Sequence, residues 1–149
     1  MSKEIRVNYK EAYKEYERIK ELFDKEDIVY SLTGSMRRKK STIGDIDIII
    51  KEKSIKLEKI IKEIGDLSSI NKNGDYFIIT KSGIDVQLIF QENEYIYNLW
   101  TSTGSKHHVA KIKNIYKEKK IELPKKVENE QEIYQRIGMT YLKPEMRDE

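Results

Sequence analysis

Residues 34–50 read GSMRRKKSTIGDIDIII, and the second half of this stretch is written for a strand. From Gly44 onward, Ile46, Ile48 and Ile50 fall on one face and Asp45 with Asp47 on the other, because side chains alternate along an extended chain. Isoleucine at every second position predicts one buried face. Two neighbouring carboxylates repel each other unless a cation joins them, and an oxygen-only donor pair suits Mg²⁺. The segment IDVQL, residues 84–88, repeats the pattern, with Asp85 opposite Ile84, Val86 and Leu88. If the two strands are neighbours, three carboxylates converge into a cage for two metal ions, one lowering the pKa of an attacking hydroxyl and the other clamping a triphosphate. At the head of the stretch, Gly34 lets a phosphate approach the backbone. Ser35 and free amides donate to it, and Arg37 or Arg38 adds a charge-assisted bond.

Working outward, Asn8 and Glu11 stand in capping-box positions, and Tyr9, Tyr13, Tyr16, Ile19, Leu22 and Phe23 recur at helical spacing. This predicts a helix from Asn8 to about Lys25 with its tyrosines in the core. IVYSLT, residues 28–33, reads as a strand. Ser54 is placed to cap a helix whose apolar face is Leu57, Ile60, Ile61 and Ile64, with Gly65 as its stop. Ser82-Gly83 joins strands at about 75–81 and 84–90 into a hairpin. Beyond residue 91 the pattern turns helical, with candidates at about 93–101, 105–120 and 129–137. Asn129 with Glu132 repeats the capping box, and Gly138 repeats the stop. The expected architecture is α+β: a mixed β-sheet with helices on one face over residues 1–91, then a small, mostly helical domain over residues 92–149.

Composition narrows the function classes. The chain has 149 residues, 38% hydrophobic and 37% charged, and no cysteine, which excludes disulfide scaffolds, thiolate zinc sites and cysteine nucleophiles. No apolar run approaches the roughly 18 residues that span a bilayer, and the opening MSKEIRVNYK lacks a signal-peptide core. A soluble, cytoplasmic chain without a membrane partner is expected. The net charge of +3 hides an uneven distribution: residues 106–127 hold eight lysines against two glutamates, a balance of +6. Such a segment attracts a phosphate backbone. Adjacent His107 and His108 diverge by about 100° on a helix and cannot share one metal, so they are expected at the surface or lining a groove. Trp100 with Tyr95, Ile96 and Leu99 has the spacing of a subdomain core. Lys117, Lys119 and Lys120 read as solvated charges, and the acids from Glu145 to Glu149 suggest no function.

GSMRRKKSTIGDIDIII resembles the palm signature of the nucleotidyltransferase superfamily, and more narrowly that of family X DNA polymerases, whose pattern is close to GSxRRGxxTxGDxDhhh. Asp85 in IDVQLIF resembles that family's third metal-binding aspartate. Thr103-Gly104-Ser105-Lys106 with His108 resembles the thumb segment FTGSKxHN, and ENEQEIYQRIGMTYLKPEMRDE resembles the family's closing run, of the form TEEEIYxxLGLxYIPPELRE. Four blocks in order cover most of residues 34–149.

The resemblance implies that Asp45 and Asp47 bind two Mg²⁺ ions, with Mn²⁺ as a possible substitute, and that Asp85 binds the catalytic one and helps deprotonate a primer 3′-hydroxyl. Gly34, Ser35, Arg38 and Gly44 would contact the nucleotide, the first three at its β and γ phosphates. Thr103, Gly104 and Ser105 would border its sugar, and Lys106, Lys111 and Lys113 would follow the nucleic-acid backbone. The implied protein is a monomeric DNA polymerase taking dNTPs on a primer-template or gapped duplex and filling short gaps in repair. Departures from the pattern are Thr101-Ser102 for Tyr-Phe, Val109 for an Asn directed at the base, and Lys39 for Gly. Only about 33 residues precede the palm signature, too few for the family's lyase domain and DNA clamps, so the chain resembles the reduced family X polymerases of some viruses. Two rivals stay open: a template-independent, RNA-modifying or protein-modifying nucleotidyltransferase, and a nucleic-acid-binding module without catalysis.

Overall fold

The computed structural model describes residues 6–148; residues 1–5 and 149, at the outer ends of the two expected domains, lie outside the described residues. Two short strands, β1 (Val7–Asn8) and β3 (Thr42–Ile43), form a small antiparallel pair. The main sheet comprises β2 (Tyr30–Thr33), β4 (Asp45–Ile50), β5 (Gly65–Ile70), β6 (Tyr76–Thr80) and β7 (Asp85–Phe90), in the order β2-β4-β7-β6-β5. β4 and β7 run parallel at its centre, and every other pairing is antiparallel. The helices are α1 (Tyr9–Lys25), α2 (Gly34–Arg37), α3 (Ile55–Ile64), α4 (Tyr95–Thr103), α5 (Lys106–Glu118) and α6 (Gln131–Gln135), followed by a 3₁₀ turn at Pro144–Met146.

The isoleucine alternation does what it predicts. Ile46, Ile48 and Ile50 are fully buried and join Val86, Leu88 and Ile78 of the sheet with Ile19 and Phe23 of α1 and Ile60 and Ile64 of α3. Each such side chain contributes about 1.5–3 kcal/mol on leaving water. α1 starts at Asn8, whose Oδ1 accepts from the Glu11 amide at 2.9 Å. Of its tyrosines, Tyr16 is buried, but Tyr13 is exposed and stacks on Tyr9 instead of entering the core. The Arg18 guanidinium donates to the carbonyls of Glu63 and Ile64, closing the end of α3. Ser54 precedes α3 without a side-chain cap.

β5 is absent from the sequence expectation. Gly65 ends α3 but does so in extended backbone, φ 168°, and begins this edge strand. A Cβ there would lie 2.2 Å from the Ile79 carbonyl oxygen, so glycine is needed for the close approach of β5 to β6. A second apolar core gathers Trp100, Val109, Ile112, Tyr116, Ile133 and Tyr134 from α4, α5 and α6 with Ile137 from the turn after α6. Among the described residues no helix is long and apolar enough to cross a membrane.

Candidate active site

The register of the central strand pair places the acids. Asp45 is the direct partner of Asp85 and Asp47 that of Gln87, so both strands present carboxylates on the sheet face opposite Ile46, Ile48 and Ile50. Asp45 and Asp47 are half-buried, and Asp85 is exposed. The condition set by the sequence, that the two strands be neighbours, is met. As the side chains stand, no three His, Cys, Asp or Glu among the described residues are drawn together closely enough to hold an ion. The donor set nevertheless fits a hard divalent cation, because it is all carboxylate oxygen on adjoining strands. Asp45, Asp47 and Asp85 are the residues that would hold it.

Asp47 is turned toward the start of α2. Gly34 sits there at φ +67°, and a Cβ on it would lie 2.2 Å from Asp47 Oδ2. Glycine therefore serves twice, for the left-handed backbone and for the carboxylate against it. Thr33, Gly34 and Met36 are buried, Ser35 is half-buried, and Gly44 is buried at the bend between β3 and β4. The Thr33 hydroxyl meets Ser102 Oγ at 2.6 Å and Thr103 Oγ1 at 3.2 Å, which joins the end of β2 to the end of α4.

The arginines that follow are held from far along the chain. Arg37 donates from Nη1 to Thr103 Oγ1 and Glu130 Oε2, both at 2.8 Å, and from Nη2 to Glu130 Oε1 at 2.6 Å. Arg147, fully buried, donates to the same carboxylate at 3.1 and 3.4 Å. Burial pushes the Glu130 carboxyl up, but hydrogen bonds and charge from Arg37 and Arg147 hold it, on balance, below its ordinary 4.5. Of the two arginines the sequence offers to a phosphate, Arg37 is committed to this network. Arg38 donates from Nη1 to the Thr103 carbonyl at 2.6 Å and from Nε to Asp148 Oδ1 at 3.3 Å.

Thr103 ends α4, and its Oγ1 donates to the Leu99 carbonyl at 2.6 Å. Gly104 follows at φ +72° with Arg38 Nη1 3.1 Å from where its Cβ would be, and the Gly104–Ser105 peptide is cis. Ser105 caps α5 by accepting from the His108 amide at 3.2 Å. Both hydroxyls thus have structural partners, and the backbone beside Arg38 is tied as well, the Thr103 carbonyl to Arg38 and the Ser105 amide to the Arg147 carbonyl.

On α5 the lysines do not form one group. At about 100° per residue, Lys106, Lys113 and Lys117 lie within about 40° of one another, whereas Lys111 lies about 160° around from Lys113. All four are exposed, and Val109, Ile112 and Tyr116 bury a side about 90° around from that stripe. His108 corrects the sequence expectation: it is 1% exposed, with Nε2 at 2.7 Å from Tyr134 Oη, which also accepts from Trp100 Nε1 at 2.9 Å. His107 is exposed, as expected, and Trp100 is buried in the second core. Sequence reasoning missed Glu130 and Arg147, which carry no local motif; only their place in the closing run resembling the family pointed to that region.

Comparison with known proteins follows the same residues. The family model described as DNA polymerase beta palm matches residues 6–143. The DNA polymerase/3′-5′ exonuclease PolX of Bacillus subtilis (strain 168) is 26% identical over 140 aligned residues, covering 81% of this chain and 24% of that protein. The chain therefore spans about a quarter of that relative's length.

Proposed function

The chain belongs to the DNA polymerase beta palm family, and from that premise we propose that it is a metal-dependent nucleotidyltransferase that adds dNTPs to a primer 3′-hydroxyl on gapped or primed DNA. The observation that supports this most is the pairing of Asp45 with Asp85 on adjoining parallel strands, with Asp47 one step along the same face and Gly34 against it.

In this reading Asp45, Asp47 and Asp85 hold Mg²⁺, or Mn²⁺ in its place. Bound there, the cation neutralises triphosphate charge and makes the attacking hydroxyl more acidic. Asp85, the most exposed of the three, helps take the proton of the primer hydroxyl. Gly34, Ser35 and Gly44 offer backbone and hydroxyl groups to the phosphates, and Arg38 adds charge. The backbone of Thr103, Gly104 and Ser105 borders the sugar. Lys106, Lys113 and Lys117 follow one nucleic-acid backbone, with Lys111 outside that stripe. Phosphoryl transfer asks mainly for position and charge, so no protein nucleophile is required. The setting proposed for this activity is short-gap filling in DNA repair, with the chain acting as a monomer.

Primer extension with Mg²⁺ tests the reading, on gapped duplex and on single strands, with one dNTP or NTP at a time. Templated incorporation is expected, together with a loss of about 10³-fold or more in Asp45→Ala, the equivalent of several kcal/mol of charge stabilisation. Incorporation that ignores the template base favours terminal transfer. DNA binding without incorporation favours the non-catalytic module.

A further inference from the structure

The cations Arg38, Lys39 and Lys40 are met by acids from one short segment more than a hundred residues further along. Asp148 bridges two of them, Oδ1 to Arg38 Nε at 3.3 Å and Oδ2 to Lys40 Nζ at 3.1 Å, while Glu145 Oε2 lies 3.5 Å from Lys39 Nζ. The segment is carried there by its neighbour. Arg147 is fully buried, bonded to Glu130, donating from Nε to the Leu142 carbonyl at 2.8 Å and lying over the rings of Tyr134 and Tyr141. Its own carbonyl accepts from the Ser105 amide at 2.9 Å. Residue 147 is thus fixed beside Gly104, and residue 148 must emerge next to Arg38.

Anchor and acids differ in kind. The Arg147–Glu130 pair is buried, whereas Asp148 is 43% exposed and Glu145 36% exposed, and exposed pairs of this sort are weak and salt-sensitive. A carboxylate with one oxygen on each of two cations presents the same geometry of charge as two oxygens of a phosphate. We infer that Asp148, assisted by Glu145, is an internal occupant of the anion site formed by Arg38, Lys39 and Lys40, and that an incoming nucleotide triphosphate displaces it while Arg147 stays in place. The inference rests on the nucleotidyltransferase reading, which assigns Arg38 to the phosphates. It adds a competitor built into the chain, so that the measured affinity for a triphosphate is the intrinsic affinity multiplied by the fraction of molecules in which Asp148 has released its cations.

Calorimetric titration of inorganic tripolyphosphate, and separately of dATP with Mg²⁺, into the full chain and into Asp148→Asn tests this. Asp148→Asn is expected to bind both roughly three- to tenfold more tightly. Glu58→Gln, which removes an acid on α3 outside this site, is expected to leave both affinities unchanged. In the full chain the side-chain carboxyl carbon resonance of Asp148 is expected to move toward that of an unpaired aspartate as tripolyphosphate saturates the site. Three results overturn the inference while leaving the nucleotide reading intact, provided Arg38→Ala still weakens triphosphate binding: no gain in Asp148→Asn, an equal gain in Glu58→Gln, or a stationary Asp148 resonance. If neither the full chain nor Asp148→Asn binds tripolyphosphate or dATP, the nucleotide reading falls and this inference falls with it.

Discussion

Residues 34–50 hold their cations and their acids in two different ways. The acids at Asp45 and Asp47 are placed by backbone register: β4 pairs with β7, and Asp85 arrives as the partner of Asp45. The cations at Arg37 and Arg38 are placed by partners from elsewhere in the chain, the Thr103 hydroxyl and carbonyl and the carboxylates of Glu130 and Asp148. Register is secured by the isoleucine face, because a slip of one residue would turn Ile46, Ile48 and Ile50 away from the core they share with α1 and α3. The cation arrangement has no such backing and depends on a few hydrogen bonds to Thr103 and to two carboxylates. The acidic half is therefore expected to tolerate side-chain changes without loss of fold, while the basic half ties the helical region to the sheet.

The largest effect on stability is expected at Glu130. Glu130→Ala leaves Arg37 and the fully buried Arg147 facing each other without their shared carboxylate, and should cost about 3–5 kcal/mol in chemical denaturation. A cost near that of an average surface substitution would break the contrast between the two halves. The same residue gives a pH dependence of known sign. Its folded carboxyl titrates below the ordinary 4.5, so its contribution is complete above that value and is lost as pH falls through the folded value. In an acid titration Glu130→Gln should lack this part of the stability loss.

Gly34→Ala tests the point where the halves touch. The left-handed backbone at φ +67° should cost about 1–2 kcal/mol, and the new Cβ should displace Asp47 and lower nucleotidyl transfer by more than the stability loss explains. An alanine variant with full activity would show that the position of Asp47 is not set by Gly34. The smallest effect concerns α5. Neutralising Lys113 should flatten the log-log salt dependence of DNA binding by about one unit, and Lys111, on the other flank, by less. Equal slopes would mean that the backbone does not follow one lysine stripe.

How far each feature could be read in advance follows from the same contrast. Strands β4 and β7 announce themselves through alternation, and α1 and α3 through helical spacing with apolar residues on one side. Strand β5 does not, because GDLSSI is mostly polar and belongs to a sheet edge, so Gly65 looks like a helix stop when its role is to let two strands approach closely. In the site, Asp45, Asp47, Asp85 and Gly34 were legible because their placement is local or follows strand periodicity. The Arg37–Glu130–Arg147 network was not, since its members lie 93 and 17 residues apart and only the folded chain brings them together. His108 misled for a related reason: its burial depends on Tyr134 from a later helix.

The central claim is that strand register gathers Asp45, Asp47 and Asp85 around a divalent cation. Its most direct test is Mn²⁺ binding followed by electron paramagnetic resonance in the presence of dATP, comparing the full chain with Asp85→Asn. The full chain is expected to take up Mn²⁺, and Asp85→Asn, still folded, to do so roughly tenfold or more weakly. Equal Mn²⁺ affinity in the two proteins would contradict it.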